Sequence, residues 1–186
     1  MPVTKVSKQE ILHRCWEHFH RNGYHNSSIK DLAEAAGLGK AGLLHHFGSK
    51  EGIMSAVIDY AMEQVRDYVL AVAKENLPFE QRLEKLLRRH CRLAKIDGRG
   101  CFFANIILET GQKGTFNDIM LPFLKEWEIV VGELLTEVMP EKEAKEKAYR
   151  MIVEFEGAVV FYKLTGDPDY LEKYVVNAVA PFKPKT

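Results

Sequence analysis

Residues 27–47 read Ser27-Ser28-Ile29-Lys30-Asp31-Leu32-Ala33-Glu34-Ala35-Ala36-Gly37-Leu38-Gly39-Lys40-Ala41-Gly42-Leu43-Leu44-His45-His46-Phe47. Ser28 followed three residues later by Asp31 opens a short helix, with the acid at the positive end of the helix dipole. Gly37 closes it, because glycine takes the left-handed conformation that ends a helix without strain. A second short helix follows from Lys40 to Phe47. Two short helices joined by a glycine-containing turn form a helix-turn-helix. Ile29, Leu32, Ala33, Leu38 and Leu43 are its shared core, and Ala33 is small where the helices cross. The second helix is too short to bury much alone and needs neighbouring helices as a platform. Its exposed N-terminal end has the dimensions that fit a DNA major groove.

The neighbours are legible on both sides. Ser7 and Glu10 form a capping box for a helix running to about Asn22, with Ile11, Leu12, Cys15, Trp16 and Phe19 as its apolar stripe and Gly23 as a left-handed cap. Ser49 caps a fourth helix expected to run to about Asn76, before Pro78. Further helices are expected near 79–96, 101–112, 116–138, 141–165 and 168–180. They are separated by Gly98-Arg99-Gly100, Gly111 to Gly114, Pro140 and Gly166-Asp167-Pro168. Pro122 kinks the third of these or marks its true start. Strand-like alternation is nearly absent. The fold class is therefore all-α, with a helix-turn-helix domain over 1–52 and a larger helical domain over 53–186.

Composition narrows the function. With 46% hydrophobic residues the 186-residue chain can fill a core. The net charge is zero, yet residues 1–52 carry seven Lys/Arg against five acids, and six of the seven histidines lie in the first 46 positions. That asymmetry is compatible with DNA at one end. Three irregularly spaced cysteines suit reduced thiols in a cytoplasm, not a disulfide framework or zinc site. No apolar stretch has membrane-spanning length, so no membrane partner is expected. There is no Gly-rich phosphate loop, nucleophile elbow or zinc spacing, so neither an enzyme nor a cofactor is expected. His13, Glu17 and His20 share a helical face and His45-His46 are adjacent, but adjacent histidines diverge on a helix, so no metal site is assigned. His46 is expected to pack at the core edge near the first helix.

Residues 7–55 resemble the DNA-binding domain of the tetracycline-repressor (TetR) family. The resemblance rests on Phe19, Gly23-Tyr24, Ser27-Ser28-Ile29, Asp31-Leu32-Ala33, Ala36-Gly37-Leu38, Lys40, Leu43, His45-His46-Phe47 and Ser49-Lys50-Glu51. It implies a ligand-responsive transcriptional regulator, by family default a repressor, that binds a palindromic double-stranded DNA operator as a homodimer. A small hydrophobic or amphipathic effector would release it. Position by position, Ser28 would cap the second helix and touch phosphate. Lys40, Ala41 and Gly42 would face base edges, and His45 the groove or phosphate. Lys50 would meet phosphate at the start of the fourth helix. Gly39 stands where the family usually has a serine cap, and Leu44 where it usually has a phosphate-binding tyrosine.

The larger domain offers two further expectations. Helix 141–165 is apolar nearly all round from Met151 to Tyr162. The last helix has the stripe Tyr170, Leu171, Tyr174, Val175, Ala178 and Val179. Two such helices per chain make a four-helix dimer interface or pack within one chain. Cys101, Asn105 and Glu109 recur every four residues on one face of a central helix. Such a polar stripe borders a wet cavity or hydrogen-bonds to a neighbouring helix. In the first reading Asn105 and Glu109 orient a small organic ligand, and Cys101 near a helix N-terminus is a reactive thiol; in the second Cys101 is a packing residue and the other two are braces. Trp127, Glu154, Glu156, Tyr162 and His90 are additional ligand-binding candidates.

Overall fold

The computed structural model describes residues 6–111 and 114–183. Among these residues no strand occurs. The helices are α1 (Lys8–Asn22), α2 (Ile29–Ala36), α3 (Lys40–Phe47), α4 (Lys50–Tyr68), α5 (Phe79–Lys95), α6 (Phe102–Thr110), α7 (Asn117–Leu135), α8 (Glu141–Thr165) and α9 (Asp169–Val179). The described residues fall into two compact units. One holds those up to Glu63 with those from Phe103 to Met120; the other holds Gln64–Phe102 and those from Leu121 onward.

In the first unit α1 packs on α2, and α2 on α3. Ile11, Leu12, Cys15 and Phe19 of α1 meet Leu32, Ala33 and Ala36 of α2 and Leu43 of α3, all buried, over Ile53, Met54, Val57 and Ile58 of α4. Trp16 is only half-buried and stacks on His13, with ring centroids 5.9 Å apart. α1 and α4 each start on a serine cap. The Ser7 side chain accepts the Glu10 N–H at 3.2 Å, and Ser49 Oγ accepts the Gly52 N–H at 3.0 Å. Gly23 ends α1 at φ 80°, ψ 169°, not in the left-handed helical region expected, but still in a region that favours glycine.

In the second unit α9 packs against α8 and α5. The inward face of α8 is Ala144, Ala148, Met151, Phe155 and Val159. α4 stops at Tyr68, short of the expected Asn76. There the backbone tightens into a 3₁₀ turn over Leu70–Lys74, which turns Val69, Leu70 and Val72 all inward. Pro122 neither breaks α7 nor starts it; the helix begins at Asn117 and runs through.

Two faces differ from expectation. Leu171, Tyr174, Val175, Ala178 and Val179 of α9 are buried within the chain, Val175 to 2% exposure, so this stripe is the chain's own core. The unpartnered apolar face lies on α8 instead. Tyr149, Val153, Val160 and Leu164 are 59%, 53%, 58% and 79% exposed. At 100° per residue these four fall within a 60° arc, with the exposed Gly157 close by. His46 is likewise exposed and does not pack at the core edge, because α3 turns only Leu43 fully inward.

Candidate nucleic-acid interface

The helix-turn-helix is fixed at both ends of α2. Ser28 Oγ accepts the Asp31 N–H at 3.2 Å and donates to Asp31 Oδ2 at 2.6 Å, and the same carboxylate accepts the Ser28 N–H at 3.0 Å. These bonds from Ser28 hold the Asp31 carboxyl below its ordinary pKa. At the other end Gly37 sits at φ 69°, ψ 30°. The Gly37 N–H bonds the Glu34 carbonyl at 3.0 Å and the Leu38 N–H the Ala33 carbonyl at 2.9 Å, the paired bonds of a Schellman motif. The chain then enters α3 through Gly39, whose extended backbone offers no side-chain cap.

α3 presents one end outward. Lys40, Ala41, Gly42, His45 and His46 are exposed, Leu44 is half-buried, and Leu43 is completely buried. Its first turn has no acidic residue. The uncapped N–H groups of that turn and the Lys40 ammonium therefore favour an anion or a base-edge acceptor. A Cβ built on Gly42 would meet nothing within 4 Å, so no contact inside the chain requires glycine there.

Lys50 begins α4. Its Nζ lies 4.5 Å from the centroid of the Tyr24 ring and donates to the His25 carbonyl at 3.3 Å. Gly52, which sequence reasoning passed over, is sterically required: a Cβ there would lie 2.0 Å from the Phe47 carbonyl oxygen. The α3–α4 junction closes only because that position has no side chain.

Expected site residues separate into three groups. Lys40, Ala41, Gly42 and His45 are exposed together on α3, while Lys50 is half-buried at the start of α4 with its ammonium turned to Tyr24 and His25. Ser28 caps α2, and its hydroxyl proton already goes to Asp31; a phosphate there would have to displace that carboxylate. Glu109 has a task other than ligand orientation. Its two carboxylate oxygens accept the backbone N–H groups of Tyr24 and His25 at 2.7 Å each, and its carbonyl lies 3.2 Å from His25 Nε2. Phe116 adds an edge-on ring contact to Tyr24 at 5.2 Å. A Cβ on Gly23 would stand 2.8 Å from Glu109 Oε1, which explains the glycine beside this carboxylate. The sequence signal for Glu109, a carboxylate in an apolar helix, was present; its partners lie 84 and 85 residues away.

The remaining ligand candidates are on other elements. Asn105 is half-buried on α6. Glu154 is exposed on α8, because the inward positions are Met151, Phe155 and Val159. Tyr162 is half-buried, with its hydroxyl 4.0 Å from where a Cβ on Gly98 would stand. The Cys101 thiol bonds the Glu156 carboxyl, whose pKa is raised by burial. Trp127 and His90 are ring neighbours 5.5 Å apart. An open groove of about 730 Å³ along α7 and the start of α8, lined by residues such as Lys125, Ile129, Glu133 and Lys145, contains none of the expected ligand residues.

Residues 7–57 match the model of the bacterial regulatory proteins of the tetR family. That match covers the helix-turn-helix and its flanking helices, the same stretch whose geometry is described above. The transcriptional regulatory protein RaaS of Mycobacterium tuberculosis is 42% identical over 62 residues, covering 33% of this chain and 29% of that protein. The fold extends the likeness to full length. A TetR regulator from Legionella pneumophila superposes with a TM-score of 0.84 at 22% identity, over 98% of this chain and 100% of the other. AibR, solved with isovaleryl coenzyme A and operator DNA, superposes with a TM-score of 0.69 at 20% identity, over 96% of this chain and 100% of its own. The Mycobacterium tuberculosis and Legionella pneumophila proteins are both named as transcriptional regulators. No described helix is long and apolar enough to cross a membrane.

Proposed function

We propose that this TetR-family chain is a ligand-responsive transcriptional repressor of the cytoplasm that grips a palindromic operator as a homodimer and lets go when a small organic effector binds. The observation that carries the DNA half is the exposed Lys40-Ala41-Gly42 end of α3, held on a doubly capped α2. In this reading α3 enters the major groove, Lys40 and the backbone at Gly42 reach base edges, and His45 and Lys50 meet phosphates.

The exposed apolar stripe of α8 supports the dimer. Contiguous apolar surface of this kind marks an interaction face. A stripe that is straight along one helix, with Gly157 in it, is self-complementary under a two-fold axis, so the occupant is a second copy. A two-fold dimer sets two recognition helices about 34–36 Å apart, matching successive major grooves.

The test is selection from a randomised duplex DNA pool with the full chain. An inverted repeat with half-sites about one helical turn apart is expected, with binding that weakens steeply with salt. Lys40→Ala should then weaken that duplex by about 1–3 kcal/mol with its helicity intact. Enrichment of no sequence, or an unchanged affinity for Lys40→Ala, would remove α3 from the groove.

A further inference from the structure

The open groove between α7 and the start of α8 has a make-up of its own. Gly132 is buried and forms its floor, Ile129 is 58% exposed on its wall, and Lys125, Glu133, Glu141 and Lys145 are exposed at its edges. An apolar centre inside a charged rim is the build of a protein interface.

Two glycines show where something comes close. Gly132 lies inside α7 and Gly157 inside α8. Glycine in a helix interior is destabilising relative to alanine, so it needs a reason. Among the described residues there is none. A Cβ at Gly132 would meet only the Ala148 Cβ at 3.8 Å, an ordinary contact, and a Cβ at Gly157 would meet nothing within 4 Å. Both positions leave room for atoms from outside the chain.

The apolar stripe of α8 is too small to hold a dimer alone. A stable interface takes about 20–30 residues a side. Tyr149, Val153, Val160, Leu164 and Gly157 fall far short, so the partner must cover flanking surface as well. The groove is that flank. Its wall residues Glu141 and Lys145 continue at four-residue steps into Tyr149 and Val153, which makes one ridge along α8.

A two-fold axis fixes the register. The stripe runs from Tyr149 to Leu164, and Gly157 lies next to its midpoint. An axis there, perpendicular to the helix, sets the partner's α8 antiparallel, with the helix dipoles opposed. Leu164 lies seven residues beyond Gly157, about 10 Å along the helix, so the partner's Leu164 comes level with Arg150. Gly132 packs beside Ala148, and α7 runs back along α8 from the short turn ending at Pro140. Ile129 therefore stands about 4–5 Å further along α8 than Gly132. The partner's Leu164 falls between the two. Leu164 is 79% exposed, more than any other residue of the stripe. The negative C-terminal end of the partner's α8, followed by the partner's Asp167, meets the Lys145 end of the groove.

We propose that the α7–α8 groove is the socket for a second copy of this chain: the partner's Leu164 plugs the space over Gly132 beside Ile129, and Gly157 is the point of closest approach. The contact is made twice per dimer, each chain supplying plug and socket. It rests on the dimer read from the α8 stripe and adds to it a register and a second contact.

The experiment is disulfide cross-linking of the full chain under mild oxidation, read as a dimer band on a non-reducing gel. Ile129→Cys, Leu164→Cys and the double variant are compared with the parent, which controls for Cys101; Cys15 and Cys91 are buried. The double variant should cross-link between chains. Neither single variant should, because the two copies of Leu164 stand about 20 Å apart and those of Ile129 about 15 Å or more, whereas a disulfide needs Cα atoms within about 7 Å. Leu164→Ser, at an exposed position, and Gly132→Leu, which fills the socket, should each raise the dimer dissociation constant at least tenfold in sedimentation with helicity unchanged. Cross-linking of Leu164→Cys alone would mean parallel α8 helices and overturn the proposal. A double variant that sediments as a dimer without cross-linking would put another occupant in the groove and overturn it as well, leaving the dimer standing. A monomeric parent would overturn both. Binding of the selected DNA duplex by the parent reports separately on the DNA half of the reading.

Discussion

Gly42→Ala separates what α3 needs to fold from what it needs to reach DNA. Glycine within a helix costs about 0.5–1 kcal/mol relative to alanine, mainly in backbone entropy. Gly42 lies in α3 with nothing within 4 Å of where its Cβ would point, so the methyl fits without displacing a neighbour. The variant should therefore be more stable by about 0.5–1 kcal/mol, seen as a higher urea midpoint at unchanged slope. If Gly42 is glycine because the backbone must approach a base edge closely, the added methyl occupies that gap. Affinity for the selected operator should then fall at least tenfold, about 1.4 kcal/mol or more. Stability and binding move in opposite directions, which general damage to the domain cannot produce. A variant that is more stable and binds DNA as well as the parent would refute the placement of Gly42 in the groove; a less stable variant would refute the geometry of α3 itself.

Other perturbations test separate parts of the structure. Gly52→Ala puts a Cβ 2.0 Å from the Phe47 carbonyl and should destabilise the helix-turn-helix by about 1–3 kcal/mol or more, read by denaturant unfolding. Val160→Glu, on the outward stripe of α8, should give folded monomers in sedimentation, whereas Val175→Glu, at a position 2% exposed, should unfold the second unit instead. Glu109→Gln keeps the shape of the clamp on Tyr24 and His25 but removes its charge, and should lower stability by about 1–2 kcal/mol. His90, lowered to about 3, binds its proton more weakly folded than unfolded, so its contribution is present above the unfolded value of 6.5 and is lost as pH falls from there toward 3. Stability should drop by about 2 kcal/mol between pH 7 and pH 5 on this account, and His90→Phe should flatten that part of the profile.

What was legible in the sequence is what local chemistry decides. The serine caps at Ser7, Ser28 and Ser49 and the stop at Gly37 are all interactions spanning a few residues, and each appears where the pattern placed it, although at Ser7 only the serine half of the expected capping box forms while the Glu10 carboxylate takes Arg14. The end of α4 was not legible, because the 3₁₀ turn at Leu70–Lys74 answers to burial and not to any breaker in the sequence. The outward face of α8 was not legible either. A helix apolar on most sides does not say which side its own chain covers, and only the burial of Met151, Phe155 and Val159 leaves Val153, Val160 and Leu164 as the outer stripe. The periodic face Cys101-Asn105-Glu109 was visible, but its members serve different partners. Cys101 meets Glu156, while Glu109 meets a turn more than 80 residues earlier. Periodicity shows that three residues share a face; it does not show that the face has one job.

That turn bears on how the repressor proposed above would be switched. The Tyr24-His25 backbone is held by Glu109 of α6, the Tyr24 ring meets Phe116, and Lys50 of α4 reaches both residues. The end of α1, the start of α4 and the end of α6 thus converge on two residues between α1 and α2. Bonds of 2.7 Å to a carboxylate weaken over a displacement of less than an ångström, so a small shift of α6 is enough to release the turn. Two charge-assisted bonds carry about 2–4 kcal/mol net, and this bounds the coupling that the contact can transmit. It corresponds to a change in DNA affinity of about 30-fold to 1000-fold, of the size a switch between bound and free operator requires. An effector acting through α6 would draw on that energy, and Glu109→Gln would then narrow the gap between effector-bound and effector-free DNA affinity as well as lowering stability.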